Sequence, residues 1–286
     1  MKIGILGLPR SGKTTVFNAL TGSEASTAYG GGKSRIHLGV VKVPDERLEA
    51  VAEIVQPKKI THATVEYADV AGEQMAEIKK SIGLGDSQLQ ALSTTDALLI
   101  VIRAFEDGAG VPVDAPGDVE AIQLELILSD LQKIENRLPK LEKLVKKVTG
   151  KELENAKIEL ESLRKLKPSL EEGCPVRSVE LSPEEEKAVR GFMFLSGKPS
   201  LFLVNLGEEN LNRGEEALKD FDLPQGDSQR RYAAMCAEIE AEISRLSEEE
   251  QKEFMSDYGI KEPAARRIIR LCYELLDRKS TRLNSS

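Results

Sequence analysis

Gly7-Leu8-Pro9-Arg10-Ser11-Gly12-Lys13-Thr14 decides how this chain is read. The stretch fits G-x-x-x-x-G-K-[ST]. In such a loop the glycines let backbone N–H groups turn inward around phosphate oxygens, and the following helix adds its partial positive N-terminus. Lys13 supplies a point charge to the β and γ phosphates, and the Thr14 hydroxyl is a Mg²⁺ ligand. Pro9, Arg10, Ser11, Gly12 and Thr15 complete the candidate cradle. The pattern arises by chance in roughly one chain in a hundred of this length, so its surroundings decide. Lys2 to Leu6 reads as a short buried strand and Thr14 to Leu20 as a helix, which is the strand–loop–helix context the loop requires.

Further strands are expected at Val40 to Val43, at Ala63 to Ala68 ending on Asp69, at Ala97 to Arg103 and at Ser200 to Val204. The last two are continuous apolar runs, as in parallel strands buried on both faces. Asp45 is a candidate N-cap for a helix to about Ile54. Strands alternating with helices from the first residue predict an α/β fold, a doubly wound and mainly parallel sheet of the P-loop NTPase, G-domain-like type.

The middle of the chain differs. Leu131, Ile134, Leu138, Leu141, Val145 and Val148 are spaced as a coiled-coil seam, and Leu153, Ala156, Leu160 and Leu163 repeat it after Gly150. This predicts an inserted antiparallel α-helical coiled-coil arm over 118–182, flanked by a nucleotide-binding domain at 1–117 and 183–277. Pro139 should kink or break the first arm helix. Leu131 to Glu172 holds 11 Lys/Arg against 8 Asp/Glu, a net +3 on a chain of −8. Such a surface suits an anionic partner, or is simply a solvated helix face. Ser182 and Ser247 each open a capping box, and the last helix should run from about Pro263 to Leu276. Residues 278–286 carry one apolar side chain, Leu283, and are expected to be disordered, as a non-native end or the stub of a longer protein.

With 286 residues, 40% apolar and 31% charged, the chain holds enough apolar material for a sizeable core. Its negative charge argues against a large non-specific nucleic-acid binder. No apolar run nears the roughly 20 residues needed to span a bilayer, and the N-terminal stretch is too short for a signal peptide. Cys174, Cys236 and Cys272 lack C-x-x-C spacing, so no zinc site is expected, and His37 and His62 cannot build a His-based metal site alone. A cytoplasmic location without a membrane partner follows.

Two further motifs belong to the phosphate chemistry. Asp69-Val-Ala-Gly72 ends a strand, where the carboxylate can hold Mg²⁺ through water and the Gly72 amide can sense the γ-phosphate. Asn205-Leu206-Gly207-Glu208 stands where guanine-specific switches carry Asn-Lys-x-Asp. Leu206 and Glu208 replace the Lys and the Asp, so a guanine clamp is not intact.

Together these residues resemble the YchF/Obg-like ATPase family, in the Obg branch of P-loop GTPases. The likeness rests on Gly7–Gly22, Leu38–Lys59, Asp69–Gly72, the arm from Asp118, Leu170–Glu186, Lys198–Glu209 and Ala237–Leu276. It implies a switch that binds ATP or GTP with Mg²⁺, hydrolyses it slowly and associates with the ribosome, on the large subunit. It also implies a C-terminal TGS domain, and this chain stops where that domain would begin. By resemblance Asn205 and Glu208 face the base edge, and Cys236-Ala237-Glu238 matches the family's base-contacting loop. Arg10 stands where the family carries Asn, which in relatives that use K⁺ helps hold the ion. Its guanidinium is expected to replace that charge, or else to stand exposed. Lys33 or Ser34 falls where a switch Thr would meet the metal. Glu73 and Gln74 follow Gly72, and no general base is assigned. Segments 24–38 and 72–90 are expected to order with triphosphate. The rival readings are a nucleotide-sensing module without hydrolysis and a small-molecule kinase.

Overall fold

The computed structural model describes residues 1–23, 36–70, 86–108, 110–224 and 230–283. Six strands form one sheet: β1 (Lys2–Gly7), β2 (Ile36–Lys42), β3 (Thr64–Val70), β4 (Ala97–Ala104), β5 (Ser200–Leu206) and β6 (Arg230–Met235). Their order is β2-β3-β1-β4-β5-β6. All pairings are parallel except β2 with β3, where Leu38 lies opposite Ala68. Every residue of β4 and β5 is buried, as their unbroken apolar runs require.

Alternate residues of these strands feed two cores. On one face Ile3, Ile5, Leu99, Val101 and Leu203 meet Val16, Phe17 and Leu20 of α1 (Lys13–Thr21) and Ile268 and Cys272 of α9 (Ala264–Leu283). On the other, Leu6, Leu98, Ile100, Ile102 and Val204 meet Leu92 of α3 (Asp86–Ser93) and the first turns of α4 (Ala115–Val145). The expected Asp45 cap is present: its carboxylate accepts from the Arg47 and Leu48 amides at the start of α2 (Glu46–Val55). Both expected capping boxes form, Ser182 with Glu185 on α6 (Pro183–Val189) and Ser247 with Glu250 on α8 (Glu248–Asp257). A short α7 (Ala237–Ile243) follows β6.

The arm is the antiparallel pair α4 and α5 (Gly150–Glu171). Its seam is Ile134 and Leu141 against Leu160, Leu163, Leu166 and Leu170, with Leu131, Leu138 and Val145 packed at the margin. Three expectations are corrected here. Helix α4 passes unbroken through Pro139. A proline in a helix interior costs about 3 kcal/mol, through the lost hydrogen bond and the ring's clash with the preceding turn, and the seam residues on both sides hold the register regardless. The arm does not begin at Asp118. Ala115, Val119, Ile122 and Leu126 belong to the sheet core and Ile127 onward to the arm core, so the change of partner falls inside one helix. Helix α9 continues to Leu283, so 278–283 are helical rather than disordered. Residues 284–286 lie outside the described residues.

Where α4 leaves the sheet it is anchored by Asp130, fully buried. Its carboxylate accepts from the Leu195 amide (2.9 Å), the Ser196 amide (2.7 Å), the Ser196 hydroxyl (2.8 Å) and Lys133 Nζ (3.2 Å). Burial pushes this carboxyl up, while Lys133 and the bonds from Leu195 and Ser196 hold it down. Asp130→Ala would strand two buried amides at about 1–3 kcal/mol each. Denaturant unfolding should show a loss of about 3 kcal/mol. A change under about 0.5 kcal/mol would mean that the anchor does not hold the arm to the sheet.

Candidate nucleotide site

The Gly7–Thr14 loop leaves the carboxyl end of β1 and enters α1, as the motif demands. Gly12, the residue before the helix, has φ 88° and Arg10 has φ 65°, so two left-handed residues turn the loop's amides inward. A Cβ on Gly12 would lie 2.3 Å from Asn205 Nδ2, and one on Gly7 would lie 2.4 Å from the Val101 carbonyl on β4. Both positions therefore exclude any side chain.

Lys13 curls back over the loop. Its Nζ donates to the carbonyls of Gly7 (3.0 Å) and Leu8 (2.8 Å). Burial brings its pKa down to about 8, against the opposing pull of the Asp69 charge. Asp69, near the end of β3, is fully buried. Thr14 Oγ1 donates to its Oδ2 at 3.0 Å, and His37 Nδ1 stands 3.8 Å from the same oxygen. Burial raises this carboxyl, and the Thr14 bond, Lys13 and His37 draw it back. Among the described residues, Asp69 Oδ1 and the Ser11 hydroxyl are buried without a hydrogen-bond partner. An orphaned carboxylate oxygen beside a threonine hydroxyl at a phosphate loop is the donor set that a hard divalent cation takes.

Beside the loop opens a cavity of about 830 Å³, the size of a small-molecule site. Gly12, Thr15, Asn205, Leu206 and Glu208 line it, with Phe105, Glu238 and Arg245. Asn205 does not simply face this space. Its Nδ2 donates to the Ser11 carbonyl (3.1 Å) and its Oδ1 accepts from the Ala237 amide (3.0 Å). It pins the phosphate loop to β5 and to the turn before α7. Cys236 and Ala237 are buried behind the wall rather than in it. Burial raises the Cys236 thiol, partly offset by the Ile239 and Glu238 amides.

Arg10 stands exposed, as one of the two expectations had it, but it is not free. Its Nε lies 3.1 Å from Asp107 Oδ2, and its Nη2 donates to the Asp107 carbonyl. Asp107 also faces Arg103 at 3.9 Å. Sequence reading missed Asp107 and His37. Asp107 sits after β4 in a loop without a motif. His37 is set opposite Asp69 only by the β2–β3 register. Pro9 is exposed on the loop. Lys33, Ser34, Gly72, Glu73 and Gln74 lie outside the described residues. Of the segments expected to respond to triphosphate, Ile36 to Leu38 belong to β2 and Asp86 to Gln90 to α3, each held by its own backbone bonds.

A sequence model of the family described as "50S ribosome-binding GTPase" matches residues 2–147. The ribosome-binding ATPase YchF of Haemophilus ducreyi is 39% identical, over 96% of this chain and 76% of its own length. That of Bacillus subtilis is 36% identical, over 96% and 75%. The solved structure of the Schizosaccharomyces pombe YchF GTPase superposes with a TM-score of 0.78 at 28% identity, covering 96% of this chain and 75% of that one.

Lys13 must be charged to hold a phosphate, so a bound anion raises its pKa. Binding of magnesium nucleotide should therefore take up a proton as the pH passes about 8. Affinity should be level below pH 7 and fall towards tenfold per unit above pH 8. Calorimetry in two buffers of different ionisation enthalpy reads both. Affinity that stays level to pH 9.5 would show that Lys13 is charged throughout.

Proposed function

The chain belongs to the YchF family, and from that premise we propose that it is a nucleotide-dependent switch that binds ATP, hydrolyses it slowly, and acts in the cytoplasm on the ribosome. The observation that carries the nucleotide reading is the Thr14–Asp69 pair with its orphaned Oδ1, set at the mouth of a glycine loop beside a nucleoside-sized cavity. The ribosome enters from the relatives' descriptions, and the large subunit from the second of these.

Thr14 and Asp69 are the residues that would hold Mg²⁺, Asp69 through water, and the ion would supply neutralising charge to the phosphates. The chain's own groups do the rest. Lys13 exchanges the Gly7 and Leu8 carbonyls for β and γ phosphate oxygens. The amides of Arg10 to Thr15 surround the phosphates, with the N-terminus of α1 aimed at them. Water attacks the γ-phosphorus, the bond to the ADP oxygen breaks, and the water's proton leaves with phosphate or to solvent. Positioning and charge neutralisation carry this step, so turnover is slow.

Base choice rests on the cavity wall. Leu206 in place of a lysine removes the cation that packs along a guanine in guanine-specific switches. Glu208 still accepts from an exocyclic amine, which adenine and guanine both possess. Asn205 acts by holding Ser11 and Ala237 in place rather than by reading the base. Cys236 and Ala237 shape the wall from behind. Arg10 serves the phosphates by moving from Asp107 to the triphosphate, leaving Asp107 to Arg103.

Titration with ATP and GTP in Mg²⁺, with a phosphate-release readout, tests these roles. ATP should bind at least as tightly as GTP, and Lys13→Ala should abolish binding and release together. A tenfold preference for GTP, about 1.4 kcal/mol, would return Glu208 to guanine reading. Binding without release would make the chain a sensor rather than a hydrolase. With Arg10 supplying the charge, hydrolysis in K⁺ should stay within about twofold of that in Na⁺. A severalfold rise in K⁺ would remove Arg10 from the role.

A further inference from the structure

The contact between Arg10 and Asp107 joins the phosphate loop to the loop after β4 at two points. Arg10 Nε lies 3.1 Å from Asp107 Oδ2, and Arg10 Nη2 donates to the Asp107 carbonyl at 3.2 Å. The two partners are not equally held. The Asp107 side chain is 8% exposed and that of Arg10 is 45% exposed. The carboxylate is therefore built into its loop, while the guanidinium keeps a face in solvent. Arg10 also has left-handed backbone, which a non-glycine residue adopts only where its surroundings hold it. On the far side of Asp107 stands Arg103, buried. Its Nη1 donates to the carbonyls of Phe105 and Val111, both at 3.2 Å, and its Nη2 to that of Pro112 at 2.8 Å. The same Nη1 lies 3.9 Å from Asp107 Oδ1. Asp107 thus faces one fixed cation and one movable one. Phe105, two residues before it, lines the nucleoside-sized cavity and stands against Gly12.

A guanidinium is planar and always charged, and it grips a carboxylate or phosphate oxygens through the same fork of donors. One fork cannot hold both at once. Were the pair only a clamp on the loop after β4, it would be superfluous, because Arg103 already carries three carbonyls of that loop. We propose that Asp107 is a latch that competes with the bound triphosphate for Arg10, and so sets nucleotide affinity without touching the nucleotide. This deepens the reading of Arg10 as a phosphate partner, on which it rests. Without nucleotide, Asp107 holds the guanidinium by its carboxylate and its carbonyl. With triphosphate in the loop, Arg10 turns to the phosphates. Asp107 then keeps Arg103 beside it, so no buried carboxylate is stranded by the exchange. The measured affinity is the intrinsic affinity scaled by the fraction of molecules in which Arg10 is released. Asp107 is a positioning residue in this scheme, since it acts only through Arg10.

Calorimetric titration of the full chain with a non-hydrolysable ATP analogue and Mg²⁺ tests the latch in a double-mutant cycle. Asp107→Asn keeps the shape and removes the charge, and it should bind about three- to tenfold tighter than the wild type. Arg10→Gln should bind about tenfold more weakly. Adding Asp107→Asn to Arg10→Gln should change nothing, because the latch then has nothing to hold. A merely structural Asp107 would give weaker binding, and lost stability cannot mimic a gain in affinity. Should Asp107→Asn fail to fold, the wild type still reports. Its Arg10 Nε–H resonance, identified by its absence from Arg10→Gln, should shift when the analogue is added, and an unmoved resonance overturns the latch. Unchanged or weaker binding by folded Asp107→Asn, with Arg10→Gln still weakened, overturns the latch and leaves Arg10 on the phosphates. Equal tightening in the Arg10→Gln background also overturns it, in favour of general relief of negative charge. Wild-type affinity in Arg10→Gln removes Arg10 from the phosphates and the latch with it.

Discussion

Everything at the site depends on the parallel pairing of β1 between β3 and β4. Because neighbours run the same way, the carboxyl ends of β1, β3, β4, β5 and β6 open on one edge of the sheet. That edge is where ligands bind in open parallel sheets. The glycine loop leaves β1 there, Asp69 stands at the end of β3, Asp107 follows β4, Asn205 lies near the end of β5 and Cys236 follows β6. The tightness of the pairing also dictates composition, since a side chain at Gly7 would collide with the β4 backbone. The burial of β4 and β5 on both faces keeps this edge rigid, so the groups on it hold their spacing.

Within that edge, charges are kept in an unfinished state. Lys13 is brought down to about 8 by burial and rests on two carbonyls. Asp69 is fully buried with one oxygen unpartnered among the described residues, and Thr14, Lys13 and His37 draw its carboxyl back from the rise that burial causes. Arg10 is parked on Asp107. An anion with a divalent cation would engage all three together. Preorganisation of this sort lets a site with little covalent chemistry accelerate phosphoryl transfer. Asn205 stiffens this edge, because both ends of its amide are bonded to backbone.

The arm repeats the same economy at a distance. Helix α4 serves the sheet with its first turns and the coiled seam with the rest, so arm and sheet share one rigid element. Asp130 fixes the crossing point by holding the backbone at Leu195 and Ser196, just before β5. Displacement of the arm therefore bears on the segment that leads to Asn205.

Local sequence was enough for much of this. The glycine loop, the apolar runs of β4 and β5, the heptad seam and the two capping boxes each depend on residues close together in the chain, so their physics is legible without tertiary contacts. Strand β6 was not legible, because Arg230, Arg231 and Tyr232 open it with polar side chains and only its last residues are buried. The passage of α4 through Pro139 and the shift of its packing partner near Ile127 were hidden for a related reason: helix propensity is local, whereas the packing that overrides it is not. The Arg10–Asp107 pair, the His37–Asp69 approach and the double engagement of Asn205 join residues far apart in the chain. The sequence by itself determined that a phosphate loop sits on a parallel sheet with a helical arm. Only the tertiary structure decided which charges at that loop are already satisfied and which are not, because strand register and burial, rather than residue type, set those distances.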